Sequence, residues 1–214
     1  MKPPEISIAR EGYPFILFSA FTTLILALLP IGSAALAGLA TTWFITWFFR
    51  DPARIIPDQA DALVAPADGK IIRIEEIDDA LFTRDRAVKI SIFMNIFNVH
   101  VNRIPRAGRV EQVHLKPGRF YAADSDKAVL HNEHCALLIR TDGEHVYGVV
   151  QVAGLIARRI VCRAEKGDRV TTGSRYGMIR FGSRVDLYLP PAAELRVSSG
   201  DKVRAGETIL ALLP

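Results

Sequence analysis

The sequence predicts a mainly β protein, an antiparallel sandwich or barrel-like domain with few short helices, preceded by an N-terminal hydrophobic helical hairpin. Three observations predict it. No charged residue occurs between Phe15 and Phe49. From Lys70 onward the apolar residues alternate or fall in short runs, in Lys70–Ile74, Val88–Phe93, Ala136–Ile139, Val146–Val152 and Asp186–Leu189. That is the spacing of half-buried or fully buried strands. Gly, Pro and Asp punctuate these runs, which favours tight turns between antiparallel neighbours.

Residues 1–14 are a polar lead-in containing Pro3, Pro4 and Pro14. The uncharged run, 15–49, is split by Pro30-Ile31-Gly32-Ser33. At ~1.5 Å per helical residue, Phe15–Leu29 reaches only ~22 Å, short of a ~30 Å hydrocarbon core. Ile31–Phe49 comes closer to a full span. Two arrangements fit, a hairpin with both ends on one side and a single span of the whole stretch. Lys2 and Arg10 precede the run and Arg50 and Arg54 follow it. Basic residues on both flanks favour a hairpin at the cell membrane with both ends and the main domain on the cytoplasmic side. Trp43, Trp47 and Phe48 suit the interface. A secretory signal is excluded by the length of the run and by Phe49-Arg50-Asp51-Pro52, which lacks the small residues of a cleavage site.

Residues 50–61, with Pro52 and Pro57, read as a linker, and 62–214 as the β-rich domain, with one short helix expected near residues 78–83. Formal net charge is +4, which suits an anionic membrane surface. No basic stripe is interleaved with aromatics, so nucleic acid is not an expected partner. Cys135 and Cys162 lie far apart with no CxxC, which argues against a disulfide framework and a structural zinc site. A reducing compartment fits.

One unit occurs twice. Gly167-Asp168-Arg169-Val170-Thr171-Thr172-Gly173 precedes Met178-Ile179, and Gly200-Asp201-Lys202-Val203-Arg204-Ala205-Gly206 precedes Ile209-Leu210. It resembles the turn-strand units of biotinyl and lipoyl carrier domains, a likeness of structure that does not fix function. With Asp126-Lys127-Ala128, a tripeptide also found at lipoylated lysines, it sets up an alternative function, a membrane-anchored carrier or adaptor module.

The stretch carrying the sharpest chemistry is Arg180-Phe181-Gly182-Ser183-Arg184-Val185-Asp186. A serine after glycine in a tight turn can attack the preceding carbonyl, convert the amide to an ester and, by β-elimination, cut the chain. Glycine admits the close approach. Gly32-Ser33 and Gly173-Ser174 share the dipeptide, so the choice rests on context. Four stretches supply it: Ala65-Pro66-Ala67-Asp68-Gly69-Lys70, Phe97-Asn98-Val99-His100-Val101-Asn102-Arg103-Ile104-Pro105, Gln151-Val152-Ala153-Gly154, and Phe181-Gly182-Ser183-Arg184-Val185-Asp186. In this order they resemble the short form of the phosphatidylserine decarboxylase proenzymes.

The resemblance implies self-cleavage at Gly182-Ser183, giving a large β subunit, 1–182, and a small α subunit, 183–214. Ser183 becomes a covalent pyruvoyl group, which forms a Schiff base with the serine amine of phosphatidylserine and accepts electrons as CO2 leaves; no metal is implied. The product is phosphatidylethanolamine. The tails leave room for other serine lipids, and the sequence leaves room for a homo-oligomer. His100 is the candidate acid–base residue. Longer members carry a second histidine three residues later, where this chain has Arg103, a candidate for binding substrate phosphate or carboxylate. Asp68, in a Pro-x-Asp-Gly turn, reads as a turn-closing carboxylate or as the acid that orients a catalytic histidine; the resemblance favours the latter. Gln151, Ala153 and Gly154 are candidates for oxyanion contacts. His131 and His134, near Glu133 and Cys135, have a metal-like spacing without an evident third ligand and read as surface histidines. His114 and His145 carry no signal.

Overall fold

The computed structural model describes residues 6–29, 31–78, 86–118, 132–154, 159–180 and 183–213. The chain forms two compact units, Met1–Ala53 and Arg54–Pro214.

The first unit is the helical hairpin, closed at its base by a β-ribbon. Strand β1 is Ile6–Ile8, helices α1 and α2 are Tyr13–Leu28 and Gly32–Phe48, and β2 is Arg50–Pro52. Pro14 occupies the first turn of α1, where its missing N–H costs nothing. The helices run antiparallel along a seam of small and hydroxylated residues. Ser19 and Thr42 hydroxyls lie 2.8 Å apart, and a Cβ on Gly38 would stand 2.7 Å from Thr23 Oγ1. Close packing through small residues is how apolar helices associate without a hydrophobic driving force. Their outward face carries Leu17, Phe18, Phe21, Leu36, Leu39 and Trp43, all exposed. Arg10–Leu28 is long and apolar enough to cross a membrane. Residues 6–8 of the lead-in and 50–52 of the linker are more ordered than composition implies. Ile6–Ile8 pairs antiparallel with Arg50–Pro52 because the hairpin returns the chain beside its own start.

The second unit is antiparallel β throughout. In chain order its strands are β3 Ala62–Val64, β4 Gly69–Ile77, β5 Ala87–Met94, β6 Val101–Arg103, β7 Gly108–Lys116, β8 His134–Arg140 and β9 Val146–Ala153. They continue as β10 Ile160–Cys162, β11 Arg169–Val170, β12 Arg175–Ile179, β13 Ser183–Leu189, β14 Glu194–Leu195, β15 Lys202–Val203 and β16 Ile209–Leu212. Of the short helix expected near residues 78–83, all but residue 78 lies outside the described residues.

The large sheet has the order β11-β7-β8-β9-β13-β5-β4-β15, and two small sheets have the orders β10-β12-β6 and β14-β16-β3. The pattern is duplicated. Read from either end, the large sheet gives a two-residue strand, a bulged nine-residue strand, a long strand, and then the central pair β9 and β13. The sequence repeat is the visible part of this duplication. Gly167 and Gly200 have φ of 98° and 100°, and Gly173 and Gly206 have φ of 74° and 78°. In this left-handed region a Cβ is strained. Ile56 wedges against both turns, with its Cδ1 2.1 Å and 3.1 Å from where a Cβ on Gly173 or Gly206 would stand. A two-fold duplicated fold therefore accounts for the repeat without a carrier function, and Lys127 lies outside the described residues.

The core lies on the inner face of the large sheet. Ile71, Ile90, Ile92, Leu137, Ile139, Tyr147, Val149, Val185 and Leu187 are fully buried there, each aliphatic side chain contributing about 1.5–3 kcal/mol. Strand β13 is buried along its whole length. It pairs over seven residues with β5 and over six with β9, which fixes Ser183 opposite Met94 on one side and Ala153 on the other.

Candidate active site

Ser183 is the first residue of β13 and is fully buried. Its inward side follows from the alternation that places Val185, Leu187 and Leu189 in the core. Its hydroxyl reaches Met94 Sδ at 3.4 Å. A thioether is a weak acceptor, so the hydroxyl is placed without being strongly engaged. Asn102 Nδ2 lies 3.8 Å from the same sulfur, and Gln151 Nε2 donates to Asn102 Oδ1 at 2.8 Å. Ser183, Met94, Asn102 and Gln151 thus form one buried polar chain crossing from the large sheet to β6. Gln151 Oε1 is buried and has no partner among the described residues. Such an acceptor is costly unless something fills it.

His100 is fully buried immediately before β6, two residues from Asn102 and hence on the same side of the strand. Its Nδ1 lies 2.9 Å from the Asn98 carbonyl oxygen. A carbonyl only accepts, so Nδ1 carries the hydrogen and Nε2 of the neutral ring holds the lone pair. The backbone therefore sets the tautomer that a carboxylate sets in many acid–base sites.

Asp68 and Arg103 have partners of their own. Both Asp68 carboxylate oxygens take Arg54 Nη2, at 2.9 and 2.8 Å, and Oδ1 also accepts the Ala205 N–H at 2.8 Å. Glu207 approaches Arg54 Nη1 at 3.5 Å. Arg103 Nη1 donates to the Gly173 carbonyl at 3.0 Å, and its Cδ lies 3.2 Å from the Cβ position of Gly206. One strand step beyond Asn102, Arg103 faces away from His100 and toward the two repeat turns. These two candidates lie beside Arg54 and Glu207, and the carboxylates of Asp68 and Glu207 offset the burial of the Arg54 guanidinium. Asp68→Ala should lower the unfolding free energy by about 3 kcal/mol, because it leaves Arg54 buried against Glu207 alone. Denaturant unfolding of the Ser183→Ala chain with and without Asp68→Ala measures this; equal midpoints would contradict it.

Ala153 faces Ser183, but its N–H already goes to the Glu133 carbonyl at 3.0 Å, and its carbonyl accepts Asn132 Nδ2 at 2.6 Å. Gly154 is buried at the end of β9. Gly182 and His131 lie outside the described residues. His134 Nδ1 bonds the Asn132 carbonyl at 3.1 Å. Among the described residues no group of three His, Cys, Asp or Glu could hold a metal ion. The two cysteines meet across the sheets. A hydrogen bond with Cys135 lowers the Cys162 thiol, and the same contact together with burial pushes Cys135 up.

Sequence reasoning named Asn102 only as part of a motif and missed Met94 and Arg54. Met94 offered no signal, since a methionine ending an apolar run reads as core. Arg54 stood in a stretch read as linker.

Residues 41–211 match the profile of phosphatidylserine decarboxylase. Three similar proteins are each called phosphatidylserine decarboxylase proenzyme. That of Desulfotalea psychrophila is 54% identical, covering 98% of this chain and 98% of its own length. That of Nitratidesulfovibrio vulgaris is 49% identical over 99% and 97%. That of Geotalea uraniireducens is 48% identical over the full length of both. With the profile spanning most of the chain and relatives near half identity from end to end, this protein belongs to the phosphatidylserine decarboxylase family and is an enzyme.

Proposed function

We propose that the chain cuts itself between Gly182 and Ser183 and then converts phosphatidylserine to phosphatidylethanolamine and CO2. The observation that carries this reading is the position of Ser183, buried at the start of a doubly paired strand with its hydroxyl resting, among the described residues, on a thioether alone.

In the cleavage, Ser183 Oγ adds to the Gly182 carbonyl and displaces the Ser183 nitrogen, giving an ester. His100 Nε2 is the base we assign to the hydroxyl proton, and then to the Ser183 Cα proton. Loss of that proton expels the Gly182 carboxylate from Cβ. The residual enamine at position 183 takes up water, loses ammonia and becomes pyruvoyl. The surroundings fit such a group: Met94, Asn102 and Gln151 stand in a hydrogen-bonded row beside it, and Gln151 Oε1 can accept a hydrogen from the incoming serine ammonium. When formed, the pyruvoyl group supplies an electron sink for the pair left as CO2 departs. His100 then returns a proton to the substrate carbon. Gln151 and Asn102 orient the headgroup, and burial excludes water from the site.

The apolar hairpin suits a substrate that stays in the bilayer, and its basic flanks support a cell-membrane location with the catalytic domain on the cytoplasmic side. Purified protein given phosphatidylserine vesicles should release CO2 and phosphatidylethanolamine in equal amounts, and hydroxylamine, a carbonyl reagent, should abolish this. Absence of product would overturn the reaction. Product formation indifferent to hydroxylamine would overturn the prosthetic group.

A further inference from the structure

The duplicated fold provides a comparison within one molecule. The segment β10–β12, residues 159–180, and the segment 192–213 share a strand pattern and the same glycine conformations. Their charges differ. Residues 159–180 hold six Lys and Arg against two Asp and Glu, whereas residues 192–213 hold three of each. The first copy therefore carries a charge equal to the whole formal +4 of the chain, and the second copy shows that the backbone does not require it.

The excess sits on one edge. Arg159, Arg163, Lys166, Arg169 and Arg175 are exposed and Arg180 is half-buried. Strand β10 is the outer strand of its small sheet, and the Arg180 N–H bonds the Arg159 carbonyl, so the two arginines stand opposite each other. A shallow groove of about 250 Å³ has Arg163, Arg169 and Arg175 in its lining against one carboxylate, Asp168. The edge ends three residues before Ser183.

We infer that this edge is the surface by which the catalytic domain docks on an anionic phospholipid bilayer. The inference rests on the proposed function, since a lipid substrate must reach Ser183 from a membrane. Its own support is charge complementarity: a basic edge adjoins the reacting residue and is absent from the structurally equivalent copy. Several Lys and Arg near an anionic leaflet act together, and their attraction decays within a Debye length of about 8 Å at physiological salt.

The test uses the full chain in phosphatidylcholine nanodiscs with or without phosphatidylglycerol, read by amide hydrogen exchange. Residues 159–175 should exchange at least about 5-fold more slowly in the anionic disc, a gain lost in high salt and in Arg163→Glu/Lys166→Glu/Arg169→Glu. Residues 192–208 should be unchanged. Equal exchange of 159–175 in both discs would overturn the inference, as would protection that survives charge reversal or protection by an oligonucleotide but not by lipid. Kinetics separate this from the proposed reaction. The triple variant should raise the apparent KM for bilayer phosphatidylserine at least about 10-fold and leave kcat/KM for a monomeric short-chain phosphatidylserine unchanged. Inactivity of the wild type on both substrates would sink the reaction itself, and equal losses on both would sink the docking role alone.

Discussion

Ser183→Ala is expected to remain one 214-residue chain, while the wild type separates under denaturing conditions into 1–182 and a piece beginning at 183 with a blocked N-terminus. Alanine keeps the strand register and the buried volume nearly unchanged, because the lost hydroxyl makes only a weak contact with Met94. The variant should therefore fold like the precursor, which circular dichroism can check. Its decarboxylase rate should drop to the uncatalysed background, a fall of at least about 10⁶-fold, because no other group in the chain supplies a ketone. Intact mass spectrometry decides the matter. A wild type that stays whole, indistinguishable from Ser183→Ala, would remove the pyruvoyl mechanism.

The second large effect is expected at His100. Its Nδ1 is committed to the Asn98 carbonyl, which leaves Nε2 as the proton-transfer atom, and it shares a strand side with Asn102. Arg103 is turned toward Gly173 and the repeat turns. On the proposed mechanism one histidine serves both stages, so His100→Ala should slow self-cleavage and turnover alike by about 10²–10⁴-fold. Arg103→Ala should leave both rates within about 10-fold and act instead on stability, by emptying a buried position. Processing is scored by the fraction of cut chain over time, and turnover by CO2 release per cut chain. A His100→Ala chain that cuts itself at the wild-type rate, beside an Arg103→Ala chain that cannot, would assign the two stages to different residues.

Much of this was legible in the sequence because it is written in short-range patterns. The alternation in Val88–Phe93 and Asp186–Leu189 is β5 and β13, and the uncharged run with its Pro-Ile-Gly-Ser break is the hairpin. The repeated Gly-Asp-x-Val-x-x-Gly units marked a duplication, since their glycines answer a local need for positive φ. What escaped was set by tertiary placement. Nothing local announces that Arg54 will close on Asp68, or that Ile6–Ile8 will find Arg50–Pro52. The i, i+3 spacing of His100 and Arg103 does not by itself say which side of the backbone each side chain takes. On a strand it sends the two side chains to opposite sides, so the position of Arg103 relative to the chemistry could be read only once β6 was known.

The double pairing of β13 bears on what the proposed cut would leave behind. Residues 183–189 form the middle of the sheet, bonded to β5 and β9 along both edges, and the C-terminal residues continue into β15 and β16. A fragment so enclosed cannot depart without opening the sheet at its centre, so the severed halves persist as one particle. The route back is different. The precursor refolds as a single molecule, but the cut form, once unfolded, must find its partner again, and recovery becomes second order and falls on dilution. The proposed cleavage would thus exchange reversible stability for persistence governed by an unfolding barrier. On the proposed mechanism the chain has to complete its fold before it breaks its own backbone, and it would do so only once.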